Sequence, residues 1–313
     1  MITMFSVYLF NMFAKYKTYV HRRRGSNVSE SKVKKGRIRK NRRRKIKYQD
    51  SNKACVVGTS QLAAFDSNYE KPTRKGYVRK HTPQHKCCYI PQDSGDWSVF
   101  GEGSVGAAVS GGRLMYGPGW KVENSFGRWR EKIEESQSLH FQEFVTFIGG
   151  NDEDMFLEHK VRKDVLDEDD ELRHRVVNGG VQECFSRIGV VKAWLHNGWE
   201  QQRREVSKYL ARLNSLFFGV RGRKYICSIP PRRNDSIYLL YAKFCFNMHL
   251  KHSLLNSLST GFYFVDITPI FDVGLKHFDK LLCHVAVNDH VHYNGCAMSR
   301  VADAINDIRL QSW

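Results

Sequence analysis

Five short apolar runs, each stopping at a glycine, a proline or a turn, decide which folds are open to this 313-residue chain. They are Ala54-Cys55-Val56-Val57 before Gly58, Ser104 to Val109 before Ser110-Gly111-Gly112, and Phe144-Val145-Thr146-Phe147-Ile148 before Gly149. Tyr225-Ile226-Cys227-Ser228-Ile229 before Pro230-Pro231 and Phe262 to Ile267 complete the set. Runs this short and this evenly apolar suit strands buried on both faces. Stretches of helical spacing lie between and after them. Phe126, Trp129 and Ile133 share one helix face, and Val206, Tyr209, Leu210, Leu213, Leu216 and Phe217 share another, with Gly219 as a stop. Ile237, Leu240, Tyr241, Phe244 and Met248 predict an amphipathic helix, and Ala297, Val301, Ala304, Ile305 and Ile308 a last one. Strand and helix alternating five times predict an α/β domain with a mostly parallel sheet of about five strands. Right-handed crossovers put helices on both faces, giving three α/β/α layers.

In such a fold, reactive groups gather at the carboxyl ends of the strands. Three of the polar segments sit at those ends: Gly58-Thr59-Ser60, Ser110-Gly111-Gly112 and Gly149-Gly150-Asn151-Asp152. A fourth, Asp289-His290-Val291-His292, precedes the last helix. Together they hold the parts that acyl transfer by serine needs. Ser60 is the candidate nucleophile; the competing reading is a helix N-cap. His292 is the candidate general base. Asp289, three residues earlier, is spaced to orient its Nδ1 side and leave Nε2 for the serine. His290 is read as a surface histidine. Asn151 can give a side-chain N–H to an oxyanion, or else close an Asx turn after its glycines. A backbone N–H at Gly112, or at neighbouring Gly111, is the second oxyanion donor, where a missing Cβ permits close approach.

The formal net charge of +18 suggests a polyanion partner until its distribution is considered. Residues 15–47 carry sixteen Lys or Arg against Glu30 alone, a net of +15 that leaves about +3 for everything else. Residues 1–50 are therefore expected to be a disordered basic tail, with 54–313 the folded domain. The run Lys34-Lys35-Gly36-Arg37-Ile38-Arg39-Lys40 is of the nuclear-import or nucleic-acid-binding type. Met1 to Phe10 is apolar but too short to span a bilayer, and no other stretch reads as transmembrane. Residues 68–98, with Pro72, Pro83 and Pro91, form a polar insert, and about 152–175 an acidic one. Eight scattered cysteines form no disulfide framework, and Cys55, Cys227 and Cys245 lie in apolar runs as core residues do. The expectation is an intracellular protein, cytoplasmic or nuclear. His81, His85, Cys87 and Cys88 crowd eight positions, but their spacing fits no ordinary zinc finger.

The four polar segments resemble the blocks of the SGNH hydrolases, also called GDSL-type esterases. That family carries a serine in Gly-Asp-Ser, a glycine, an asparagine in Gly-x-Asn-Asp and an Asp-x-x-His pair. Here Gly58-Thr59-Ser60, Gly111 or Gly112, Gly149 to Asp152 and Asp289 to His292 stand in those places, over about residues 54–310. Thr59 replaces the family's aspartate, which lies outside the proton relay. Ile229-Pro230-Pro231-Arg232 also resembles esterase-like domains of animal mobile elements. The resemblance implies a flavodoxin-like fold and an esterase acting on an ester or O-acyl substrate through an acyl-enzyme. It implies no metal or organic cofactor. The runner-up is an inactive module of the same fold, tethered to nucleic acid by residues 15–47.

Overall fold

The computed structural model describes residues 53–65, 70–72, 78–80, 97–152, 174, 177–180, 193–232, 235, 237–255, 261–274, 276–277, 293 and 295–311. Met1 to Phe10, residues 15–47, the His81–Cys88 cluster, most of the acidic insert and Asp289 to His292 lie outside the described residues. The chain divides into two units, Met1–Lys47 and Tyr48–Trp313, and every described residue belongs to the second.

The strands are β1 (Cys55–Thr59), β4 (Val105–Val109), β5 (Glu143–Phe147), β6 (Arg223–Cys227) and β7 (Phe262–Val265), all parallel, in the order β4-β1-β5-β6-β7. A short antiparallel ribbon, β2 (Glu70–Pro72) with β3 (Val78–Lys80), lies within the polar insert. The helices are α1 (Gly119–Ser138), α2 (Ala193–Leu216), α3 (Ile237–Leu255) and α4 (Gly295–Gln311).

β1 and β5 are buried along their whole length, as their unbroken apolar character requires. Alternate residues feed two cores, because side chains alternate across a strand. On one face Cys55, Val57, Phe144 and Ile226 pack with Trp129 of α1, Tyr209 and Leu213 of α2, and Phe246 of α3. On the other face Val56, Val145, Tyr225 and Cys227 pack with Met298, Val301 and Ile305 of α4 and with Phe65, Trp97 and Phe100. The three-layer α/β/α architecture expected from the alternation is present.

Three details differ from expectation. The alternation calls for a helix after every strand, yet among the described residues β1 runs into a 3-10 turn, Ser60–Ala64. β6 ends at Cys227 and β7 at Val265, two residues short of their apolar runs. Ile229 and Ile267 remain buried there because side chains take over the ladder bonds. Asn247 Oδ1 accepts from the Ile229 N–H and its Nδ2 donates to the Ile229 carbonyl, both at 2.8 Å, while Ile267 N–H donates to Ser228 Oγ at 2.9 Å. Finally, α3 is buried nearly all round. Its face toward the sheet is Ala242, Phe246, Leu250 and Leu254, not the row centred on Tyr241 and Phe244. A helix apolar on every side carries no periodicity from which to choose a face.

Candidate active site

β1 lies between β4 and β5, and the order of strands reverses at it. That is the switch point where ligands bind in open parallel sheets. Register pairs Gly58 with Ala108 on one side and Phe147 on the other, so the polar segments leaving all three strands emerge side by side. Gly58 is required by crowding: a Cβ would fall 2.6 Å from the Phe147 carbonyl oxygen and 2.6 Å from Leu62 Cδ1. From α1, the Trp129 indole N–H donates to the Gly58 carbonyl at 3.0 Å. Ser60 follows as the first residue of the 3-10 turn and is buried, 7 % exposed. No α-helix begins there for it to cap.

The segment after β5 folds as a turn in which Asp152 N–H donates to the Gly149 carbonyl at 3.0 Å. The Asn151 side chain joins two strand ends. Its Nδ2 reaches across to donate to the Gly112 carbonyl at 3.1 Å. Because β4 and β5 flank β1, this bond bridges the carboxyl end of β1. Asp152 makes a second bridge. Wholly buried, it accepts from Tyr116 N–H and Met115 N–H at 2.9 Å each and from Leu114 N–H at 3.0 Å. Burial pushes its carboxyl above the usual range, while those three N–H groups and the Arg113 charge pull it back.

Gly112 takes a different part from the one its sequence suggests. Its N–H donates to the Val109 carbonyl at 3.1 Å, closing the turn out of β4. A Cβ on it would fall 2.7 Å from Trp129 Cζ2. It is glycine because the indole packs against it, and its own N–H is spent in the turn. Gly111 beside it is exposed, with φ +60°.

A further side of the site comes from the segment after β6. Arg232 Nη2 donates to Asn151 Oδ1 at 2.5 Å and also to the Gly150 carbonyl. Its own N–H donates to Asp235 Oδ2 at 2.6 Å, and Asp235 in turn pairs with buried Lys243 of α3 at 2.6 Å. Tyr293, the residue after His292, is buried; its O–H donates to the Pro231 carbonyl and its N–H to Gln61 Oε1 at 3.4 Å. Burial pushes the Tyr293 phenol far up, so it stays a neutral donor. Thr59, Gln61, Gly150, Ser228, Arg232 and Tyr293 line a crevice between Tyr293 and the segments after β1, β5 and β6, together with apolar Phe147, Ile148 and Pro230; Ser60, Asn151 and Gly112 stand beside this lining rather than in it.

Of the residues singled out from sequence, Ser60, Asn151 and Gly112 thus stand at neighbouring strand ends, with Asn151 bonded to Gly112. Asp289 and His292 lie outside the described residues. Sequence reasoning missed Arg232, Tyr293, Gln61 and Trp129, and saw in Asp152 only part of a motif. A basic residue directly after a strand-ending Pro-Pro was the one available signal for Arg232. Trp129 read only as a core residue. No cluster of three His, Cys, Asp or Glu suited to a metal occurs among the described residues, and no described helix is long and apolar enough to cross a membrane.

The sequence matches no described protein family and no curated protein. Among solved structures, the chain is similar to an extracellular lipase from Streptomyces rimosus, at 12% identity and a TM-score of 0.39, covering 82% of this chain and 99% of the lipase. It is also similar to an acetylxylan esterase from Geobacillus stearothermophilus, at 13% identity and a TM-score of 0.37, covering 81% and 91%. A third is an alpha/beta hydrolase enzyme from the metagenome of Lake Arreo, Spain, at 14% identity and a TM-score of 0.38, covering 81% and 92%.

Proposed function

We propose that this chain is a serine hydrolase acting on an ester or O-acyl substrate through an acyl-enzyme. Ser60 Oγ attacks the acyl carbon as His292 takes its proton, and Asp289 orients the imidazole and stabilises its charged form. The protonated imidazole then gives that proton to the departing alcohol. Water, deprotonated by the same histidine, releases the acid and restores the serine. The oxyanion is held by Asn151 Nδ2–H and the Ser60 N–H. A glycine N–H is the third donor. With the Gly112 N–H bonded to Val109, we assign that part to Gly111.

One observation carries the reading. Tyr293 N–H bonds to Gln61 Oε1, so the residue after His292 meets the residue after Ser60 across 232 positions, beside a crevice at the switch point. Labelling with a fluorophosphonate is the test. Covalent modification of the folded wild type at Ser60, absent from Ser60→Ala and weakened in His292→Ala, is the expected result. A folded protein that takes no label ends the proposal.

The charge on residues 15–47 supports a second property, which is nucleic-acid binding through the tail. Phosphate contacts release counterions, so affinity would fall steeply with salt and vanish on removing the tail. Such binding by a chain that resists the label would favour the tethered, inactive alternative.

A further inference from the structure

We infer that Arg232 is the positioning residue for Asn151, fixing which end of that amide donates toward Gly112 and which accepts. The inference rests on the hydrolase reading for its consequence, but its geometry stands alone. An asparagine amide has two ends of nearly equal shape, and only one of them can donate. Here both ends are specified. Arg232 Nη2, a cationic donor, sits 2.5 Å from Oδ1, and the Gly112 carbonyl, an acceptor, sits 3.1 Å from Nδ2. Turning the amide over would set an NH2 against a guanidinium and an oxygen against a carbonyl. One Nδ2 proton is used on Gly112. The other is the one a developing oxyanion would take. A charged donor on the amide oxygen also polarises the group and strengthens its N–H as a donor.

Arg232 is itself held. Asn247 clamps both backbone groups of Ile229. One helical turn earlier on α3, Lys243 pairs with Asp235, which accepts the Arg232 N–H. Ile229 and Asp235 are thus both tied to one helix, with the Arg232 guanidinium extending to Gly150 and Asn151. A site built to stabilise charge at the moment of reaction needs its donors pre-oriented in this way.

The experiment is a double-mutant cycle between positions 151 and 232, read on p-nitrophenyl acetate hydrolysis. Arg232→Met is expected to lower kcat by about tenfold to a hundredfold with little change in KM, somewhat less than loss of a whole oxyanion donor. In the Asn151→Ala background the same change is expected to cost less than about twofold, because the group it orients is gone. Arg232→Lys should recover part of the loss. An equal loss in both backgrounds, or a loss confined to KM, would overturn the inference and make Arg232 a substrate contact or a general support. If Arg232→Met fails to fold, as judged by circular dichroism, Arg232→Gln takes its place. If the wild type neither turns over nor takes a fluorophosphonate, the hydrolase reading fails, and the orientation is tested by the Asn151 side-chain amide signals in nitrogen–proton NMR, assigned by their loss in Asn151→Ala. Movement of that pair toward free-amide positions on replacing Arg232 supports the inference, and an unmoved pair overturns it.

Discussion

The Trp129 indole N–H donates to the Gly58 carbonyl across 71 positions, and the same ring packs where a side chain on Gly112 would be. One aromatic of α1 thereby supports the ends of two strands that lead into the candidate site. Trp129→Phe keeps the apolar ring and removes the N–H, leaving a buried carbonyl without that partner. A loss of about 1–3 kcal/mol is expected, read as a lower urea midpoint with an unchanged slope. Gly112→Ala forces a methyl against the ring and is expected to cost about 1–3 kcal/mol as overpacking.

Asp152 holds the loop 114–116 through backbone N–H groups alone. Asp152→Ala orphans three donors, and since one buried orphan costs about 1–3 kcal/mol, a loss of several kcal/mol is expected. Asp152→Asn retains an oxygen for Met115 and Tyr116 and should lose less.

The same carboxyl makes stability depend on pH. Its folded value is raised, chiefly by burial. Between the ordinary carboxylate value and the raised one, the folded chain keeps a proton that the unfolded chain has released. Its contribution is therefore fully present below the unfolded value and is lost as pH rises through the folded one. Asp152→Asn cannot titrate, so its stability curve should be flatter than that of the wild type across that window. Urea unfolding of both proteins from acid to neutral pH reads the difference, and parallel curves would refute it.

At the other end of β5, Glu143 and Arg309 form a buried pair, with Nε to Oε2 at 2.7 Å and Nη2 to Oε2 at 2.6 Å. Arg309 also donates to the Phe100 carbonyl, and the Tyr225 hydroxyl to Glu143 Oε1. Arg309→Met alone leaves a buried carboxylate and is expected to cost about 3–5 kcal/mol. Adding Glu143→Leu should return much of that loss. Thermal unfolding of the single and double variants checks the order.

Cys55, Cys227 and Cys245 are buried, and burial pushes the Cys55 and Cys245 thiols up to about 12 and the Cys227 thiol higher still. The thiolate is the reactive form. These three should escape iodoacetamide at mildly alkaline pH in the folded protein and react fully in urea, as peptide mass mapping would show. Modification of any of them without denaturant would contradict the packing.

The amino-acid order by itself determined the layers. Evenly apolar runs such as Phe144 to Ile148 are stable only between two covered faces, and the row Val206, Tyr209, Leu213 and Leu216 has one way to meet them. It also put Ser60 and Asn151 at strand ends, because each follows the last residue of an apolar run, Val57 or Ile148, by three positions. Tertiary structure decided what local pattern leaves undetermined. The face that α3 turns to the sheet, the Val109 carbonyl as the end point of the Gly112 N–H, and the bonds of Arg232 to Asn151 and Tyr293 to Gln61 all depend on which strands become neighbours. Hydrogen bonds between segments tens to hundreds of residues apart leave no periodicity in a sequence. They exist only once the parallel sheet has set its strand ends side by side.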